Sequence, residues 1–257
     1  MDMITKDYDS ILFDLYGTLV DIHTDQSMSS VWKTLRTYYS AHGADYSSPE
    51  LKSAYFRLCA EAEQRLRIAN GQDAQDFHPE IDIAEVFRAL YSSRGVIDTP
   101  DELLAQTALC LRNSSRTHLR LYAGATALLQ ALRDAGKHVI LLSNAQRLFT
   151  VPELKFLGIY DMFDHIFISS DYGHKKPDPE FFLLPARELG LDPSDCLMIG
   201  NDPVCDVRGA LDAGMDAYYI HSGLSPRPCP ERRELGLPSE RFQPHMDLRL
   251  VRKRLLT

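Results

Sequence analysis

Five short apolar runs punctuate a chain of otherwise mixed polarity: SILFDL (10–15), HVILLSN (138–144), HIFIS (165–169), CLMIGN (196–201) and DAYYIH (216–221). Their β-branched and aliphatic content predicts strands buried on both faces, as parallel strands are. Between them, apolar residues recur at helical spacing in ATALLQALRDAG (125–136), PEFFLLPARELG (179–190) and VCDVRGALDAG (204–214), each closing on a glycine suited to a helix C-cap. Strand alternating with helix predicts an α/β fold, a parallel sheet wrapped by helices on both faces. Pro185, inside the second of these helices, predicts a kink or a delayed start, because it lacks the N–H that a helix interior uses.

Residues 22–118 break this rhythm. They carry no strand pattern and predict four helices, roughly 26–42, 49–69, 80–94 and 100–117. SVWKTLRTYYSAHG places Val31, Leu35, Tyr38 and Tyr39 on one side, so the block predicts a small all-α helical bundle with its own apolar seam. Trp32, the single tryptophan, is expected to pack there. The organisation expected is an α/β core of residues 1–21 and 119–257 with a helical domain, 22–118, inserted.

Composition narrows the class. The chain has 257 residues, a formal net charge of −8, 44% hydrophobic and 25% charged residues. These values describe an acidic globular protein without the broad basic surface of a nucleic-acid binder. The basic cluster Arg252-Lys253-Arg254 reads as the solvated face of a terminal helix. The five cysteines, Cys59, Cys110, Cys196, Cys205 and Cys229, are scattered and form no C-x-x-C pair, which fits a reducing compartment. The first residues lack an apolar signal region and no run of about 18 apolar residues occurs, so a cytoplasmic protein without a membrane span is expected.

In an open parallel sheet, ligands bind outside the carboxyl ends of the strands. Polar residues gather there in this chain: Asp14 ends the first run, Ser143 and Asn144 the second, Lys175 and Lys176 follow the third, and Asn201 and Asp202 end the fourth, with Asp206 a turn later. The segments FDLYGTL (13–19), LLSNA (141–145), KKPDPEFF (175–182) and IGNDPVCDVRGALDAGM (199–215) resemble, in order and spacing, the four motifs of the haloacid dehalogenase superfamily of hydrolases. The resemblance covers the sheet domain and implies a Rossmann-like core with a mobile helical cap inserted between the first and second motifs.

The residues themselves specify a chemistry. Asp14, held in a turn whose backbone N–H groups at Leu15 and Tyr16 face an incoming anion, can attack phosphorus or carbon and form a covalent intermediate that water resolves. Gly17 permits the tight backbone path, and Thr18 either ties the loop or bonds the substrate. Ser143 and the N–H of Asn144 can donate to phosphoryl oxygens, and Lys176 adds a compact positive charge. Asp178 before Pro179 reads as a helix N-cap, outside the catalytic set. Asp202 before Pro203 is also a good cap, yet four residues separate it from Asp206, so both can share a face turned toward Asp14. Three carboxylates beside an anionic substrate call for a cation, and hard oxygen ligands with a phosphate favour Mg²⁺. The resemblance implies Mg²⁺ held by the Asp14 side chain, the Tyr16 carbonyl and an acid of the fourth motif; here Asn201 ligates through its amide oxygen or cedes the place to Asp202.

Tyr16 departs from the pattern, since phosphatases of this superfamily usually carry an aspartate there as general acid and base. Three function classes follow. A Mg²⁺-dependent phosphatase acting on a small phosphorylated metabolite through an aspartyl-phosphate is favoured by the acids of GNDPVCD. A metal-independent L-2-haloacid dehalogenase is the alternative, since FDLYGTL also resembles that group's first motif and halide needs no proton; its carboxylate-gripping arginine would be sought among Arg36, Arg57, Arg65 and Arg67. A non-catalytic binding protein is the third. His23 at the linker and His174 before the lysines are either substrate contacts or surface residues, the surface reading being preferred, and the proline-rich stretch 222–240 has no assigned role.

Overall fold

The computed structural model describes residues 3–70 and 77–256. The five apolar runs become strands β1 (Ser10–Phe13), β4 (His138–Ser143), β5 (His165–Ile168), β6 (Cys196–Gly200) and β7 (Asp216–Ile220). Each strand stops one or two residues before its run does, so the polar residues at the run ends fall just outside the sheet. With the short β8 (Phe242–Gln243), these strands form a six-stranded sheet in the order β5-β4-β1-β6-β7-β8, parallel throughout. The chain moves outward from β1 first on one side and then on the other, so the switch point of the topology lies at the carboxyl end of β1, where Asp14 follows.

Alternation along the strands fills two cores. Ile11, Phe13, Val139, Leu141, Leu197 and Ile199 pack on one face, whereas Leu12, Ile140, Leu142 and Met198 pack on the other, the period-two pattern of a doubly covered sheet. Helices α5 (Ala125–Asp134) and α9 (Leu248–Leu255) contribute Leu128, Leu129 and Val251 to the first face, and α7 (Pro179–Leu189) contributes Phe181 and Phe182 to the second. α7 begins at Pro179, without the late start expected, and continues through Pro185. Its N-cap bond from Glu180 N–H to Asp178, 3.0 Å, and the burial of Phe181, Phe182, Pro185 and Ala186 offset the one missing helix bond. α6 (Arg147–Phe156) holds Pro152 in its interior, which is why no helix is expected there from pattern alone.

The stretch expected as helix over 204–214 opens as a π-helical turn, Pro203–Arg208, before the short α8 (Gly209–Asp212). The carbonyl of Asp202 accepts from both Asp206 and Val207, at 3.0 and 3.2 Å, which widens the turn.

Between β1 and β4 a helical block, α1 (Ser29–Ala41), α2 (Ser48–Ala69), α3 (Ile83–Ser92) and α4 (Asp101–Ser115), packs around a third apolar cluster. Val31, Leu35 and Tyr39 are buried in it, Tyr38 only partly. Trp32 packs in the same cluster, its Nε1 donating to Gln26 O at 2.7 Å. Phe149 of α6 joins this cluster, so the block and the sheet domain share apolar contacts. Residues 22–118 are not free of strand: β2 (Val20–Thr24) pairs antiparallel with β3 (Arg116–Leu121) in a two-stranded ribbon that runs across positions 21/22 and 118/119. VDIHT and RTHLRL alternate charged and apolar residues on a half-exposed ribbon, unlike the continuous runs that mark the central sheet. His23 lies exposed in this ribbon against Thr117, 3.0 Å. Among the described residues no helix is long and apolar enough to cross a membrane.

Candidate active site

Asp14 follows β1 directly, its N–H donating to Ile199 O at 3.0 Å, which carries the strand pairing one residue further and fixes the carboxylate at the sheet edge. Its Oδ1 accepts from Lys176 Nζ at 2.9 Å. The same ammonium donates to Asp206 Oδ1 at 2.6 Å and to Leu142 O at 2.9 Å, so all three of its protons are used. Burial works against the charge on Lys176, but Asp14 and Asp206 outweigh it and hold the ammonium protonated, above its ordinary pKa. Burial pushes the Asp206 carboxyl up to about 6, with Lys176 opposing and Asp14 adding to the rise. Lys176 is presented by a two-point amide clamp: Asn144 Nδ2 donates to Lys176 O at 2.9 Å, and Lys176 N donates to Asn144 Oδ1 at 2.8 Å.

Asp206 turns its second oxygen under the end of β6, where Oδ2 accepts from the N–H groups of Asn201 and Asp202, both at 2.9 Å. A Cβ at Gly200 would collide with that carboxylate, so only glycine allows the approach. Asp206 therefore orients Lys176 and the 200–202 loop, with both oxygens engaged. Asp202 caps the π-helical turn, its Oδ1 accepting from Val204 N and Cys205 N at 2.8 and 2.7 Å. The two acids that share a face on an ideal helix thus have separate tasks. Ser143 is fully buried, its Oγ has no hydrogen-bond partner among the described residues, and it does not line the cavity beside Asp14.

The loop after Asp14 closes through Leu15 O, which accepts from Leu19 and Val20, both at 2.9 Å, while Gly17 takes φ +95°. Among the described residues, the N–H groups of Leu15 and Tyr16 donate to no protein acceptor. Thr18 is buried with Oγ1 3.2 Å from Asp14 Oδ2 and 3.3 Å from Asn201 Oδ1, so it ties the loop. A side chain at Gly17 would run into Asn201.

Asn201 provides a test of whether a cation fits. With its amide oxygen inward, that oxygen stands 3.2 Å from Tyr16 O and 3.3 Å from Asp14 Oδ2, three hard oxygens facing one another. Reversing the amide turns these repulsions into hydrogen bonds and lets the oxygen accept from Ser225 Oγ at 3.3 Å. The inward arrangement suits a hard dication, whose octahedral ligands stand roughly 2.9 Å apart along an edge. The fitting donors are the Asp14 carboxylate, the Tyr16 carbonyl and the Asn201 amide oxygen; among the described residues no set of three or more His, Cys, Asp or Glu side chains gathers in this way. Ser225, from the proline-rich stretch without an assigned role, bonds the outer atom of the amide in either orientation.

Tyr16 points away from this chemistry. Its hydroxyl donates to Glu153 Oε2 at 2.5 Å and lies 3.3 Å from Thr150 Oγ1. Glu153 also accepts from Arg112 Nε and Nη2, at 2.8 and 3.1 Å, and from Arg116 Nη1 at 2.9 Å. Burial and the Glu153 charge raise the phenol far above its ordinary value, so it neither gives nor takes a proton near neutrality. Sequence reasoning missed this network because Arg112, Arg116 and Glu153 belong to no motif. Of the arginines sought as carboxylate grips, Arg57 and Arg67 form exposed pairs with Glu61 and Glu63, and none of Arg36, Arg57, Arg65 or Arg67 lines the cavities beside Asp14.

Two adjoining cavities lie at the site. One, about 190 Å³, is lined by Asp14, Tyr16, Asn144, Lys176, Asn201, Asp202, Cys205, Asp206 and Leu224. The other, about 380 Å³, shares Tyr16 and Asn144 with it and extends toward Arg112, Glu80, Gln146 and Phe149.

A carboxylate at the switch point of a parallel sheet, faced by a buried lysine, stands where doubly wound α/β proteins bind their ligands. The chain belongs to the haloacid dehalogenase-like hydrolase family, whose model it matches over residues 8–214. It is 34% identical to a phosphoserine phosphatase of Thermus thermophilus over 111 residues, 43% of this chain and 45% of that one. It is 25% identical to the human N-acylneuraminate-9-phosphatase across 84% of each chain. The crystal structure of a HAD phosphatase from Thermococcus onnurineus shares the fold, with a TM-score of 0.55 at 22% identity over 96% of this chain and 98% of that one. The chain spans about half the length of the first curated relatives it matches, 45%, 47% and 54%.

Proposed function

We propose that this protein is a phosphatase acting on a small phosphorylated metabolite, with Asp14 as nucleophile. The observation that carries the reading is the juxtaposition of Asp14 and Lys176, 2.9 Å apart, at a cavity that both side chains line. The phosphoryl group enters the smaller cavity and its oxygens take hydrogen bonds from the N–H groups of Leu15 and Tyr16. Lys176 holds the Asp14 carboxylate in line and neutralises charge as it moves to the phosphoryl oxygens. Asp14 attacks phosphorus, the leaving alcohol departs into the larger cavity, and water hydrolyses the aspartyl-phosphate. Thr18, Asn144 and Asp206 position the two reacting side chains. Asp14, the Tyr16 carbonyl and Asn201 would hold Mg²⁺, with Asp202 at the cavity wall beside them; when bound, the ion shields the phosphoryl charge from the nucleophile. The helical block acts as a cap that opens to admit substrate and closes to exclude water.

One observation favours dehalogenation as a second reading: Tyr16 leaves no acid two residues after the nucleophile, and halide needs none. A single paired assay separates the readings. Phosphate release from an aryl phosphate with Mg²⁺, abolished by chelator and reduced at least about 10³-fold by Asp14→Asn, supports the phosphatase. Chelator-resistant halide release from 2-chloropropionate overturns it in favour of the dehalogenase. A folded protein inactive on broad panels of both substrates is a binding protein.

A further inference from the structure

The hydroxyl of Tyr16 is committed to Glu153, so the position that would supply a leaving-group proton supplies none. The larger cavity, on the side where a leaving alcohol would sit, contains a carboxyl with no assigned role. Glu80 comes from the inserted block, lines that cavity together with Tyr16 and Asn144, and has no cation within ion-pair distance among the described residues. Arg112, the cation across the cavity, is engaged by Glu153.

We propose that Glu80 donates the proton to the departing oxygen and takes it back from the attacking water. This rests on the phosphatase reading above. In the first step Asp14 bonds to phosphorus, the bond from phosphorus to the leaving oxygen breaks with its electron pair going to oxygen, and that oxygen takes the Glu80 proton. In the second, water gives a proton to Glu80 as its oxygen bonds to phosphorus, and the Asp14 carboxylate departs. The acid is restored and the products are alcohol and phosphate.

The carboxyl is held for this purpose. Gln146 Nε2 donates to its Oε1 and Ser169 Oγ to its Oε2, both at 2.9 Å. Gln146 is itself pinned, its Nε2 also donating to Ile81 O at 2.8 Å and its Oε1 accepting from Ile83 N at 2.9 Å. The segment carrying Glu80 is stitched to the loop before the site lysine: Glu80 N donates to Gly173 O at 3.0 Å, and Lys175 N to His78 O at 2.8 Å. Burial raises the Glu80 pKa against the opposing pull of Lys175, Ser169 and Gln146, the direction an acid working near neutrality requires. A carboxyl delivered by the inserted block also makes proton transfer depend on the block being seated, which protects the aspartyl ester from idle chemistry when it is not.

The test is the leaving-group dependence of phosphate release by the full chain, wild type against Glu80→Gln, on a series from highly acidic phenols to simple alkyl alcohols. A phenolate of low basicity needs no proton, whereas an alkoxide does. Glu80→Gln is expected to lose about 10²–10⁴ in kcat on alkyl phosphates and less than about 10-fold on the most acidic phenol, so the dependence steepens. A loss of the same size across the series, or none, overturns the role and leaves Glu80 as a strap between the block and the loop. Should Glu80→Gln fold poorly, Glu80→Asp reads the same series: it keeps the acid, so its dependence stays parallel to wild type, and a steepened one overturns the proposal. Wild-type inactivity on every phosphate, with halide released instead, sinks the phosphatase reading and Glu80 with it; a uniform loss in an active enzyme sinks Glu80 alone.

Discussion

The cluster around Lys176 and the cluster around Glu153 are made of the same parts in opposite proportion. In the first, one ammonium is shared by the carboxylates of Asp14 and Asp206; in the second, one carboxylate is shared by the guanidinium groups of Arg112 and Arg116, with the Tyr16 hydroxyl as a further donor. The first is buried and the second partly so, and both touch the loop after β1. The first keeps a negative charge in excess and opens onto a cavity, so it gains from a cation and can release a nucleophile. The second keeps a positive charge in excess, closes its hydrogen bonds on Glu153, and joins α4, β3 and α6. An excess of carboxylate at the end of the central strand makes a site that gains from a cation; a carboxylate whose bonds tie α4, β3 and α6 together makes a joint.

The contrast breaks first at Lys176. Lys176→Met removes the ammonium and leaves two buried carboxylates side by side, an expected loss of about 3–5 kcal/mol of stability. Phosphate release should fall by at least about 10²-fold, as for loss of a charged group that stabilises the transition state. Urea unfolding and kcat measured on one preparation check both numbers. A variant as stable as wild type would mean that the carboxylates do not need the ammonium, and the first cluster would no longer be a charge network.

Glu153→Gln should disturb the joint and spare the chemistry. Arg112 and Arg116 lose their shared counter-ion, at a cost of about 3 kcal/mol, while kcat is expected to fall by less than about 10-fold, since Glu153 touches no reacting atom. The pH dependence sharpens this. Burial raises the Glu153 pKa, but the hydrogen bonds and charge of Arg112 prevail and hold it below its ordinary 4.5. The unfolded chain then takes up the proton more readily than the folded one, so the stabilisation is complete above 4.5 and is lost as pH falls through the lower folded value. The gap in stability between wild type and Glu153→Gln should therefore narrow in acid. A gap constant from about pH 7 to about pH 3 would show that the carboxylate is not what holds the arginines.

The same contrast explains what was legible in the sequence. Strands buried on both faces appear as unbroken apolar runs, and a polar residue at the end of such a run must lie at the sheet edge, so Asp14, Asn144 and Asn201 could be found from local pattern, whereas Lys176, in the loop after the third run, is found through the motif resemblance. The ribbon β2–β3 alternates at half exposure and has no such run. The separate tasks of Asp202 and Asp206 were hidden because a spacing of four implies a shared helical face, and a wide turn over Pro203–Arg208 removes that premise. Glu153 lies 137 residues from Tyr16 in sequence, inside a helix that carries a proline, and no short-range signal connects them. Glu80 is hidden for the same reason: its partners Gln146 and Ser169 lie on the far side of the insertion.

The smallest effect is expected at Tyr16, the residue that belongs to both clusters by position and to one by bonding. Tyr16→Phe removes one hydroxyl from Glu153, which keeps its bonds to Arg112 and Arg116, so the stability loss should be about 1 kcal/mol, that of a single hydrogen bond whose partner remains satisfied. The backbone of residue 16 is unchanged, so its N–H and carbonyl stay available to the phosphoryl group and to the cation. kcat should change less than about 10-fold, against the ~10²–10⁴ that removal of a working general acid produces. The pH profile of kcat should be superimposable on that of wild type. A loss of the larger size, or a basic limb that vanishes with the hydroxyl, would move Tyr16 from the joint into the chemistry, and the division between the two clusters would fail at the residue where they meet.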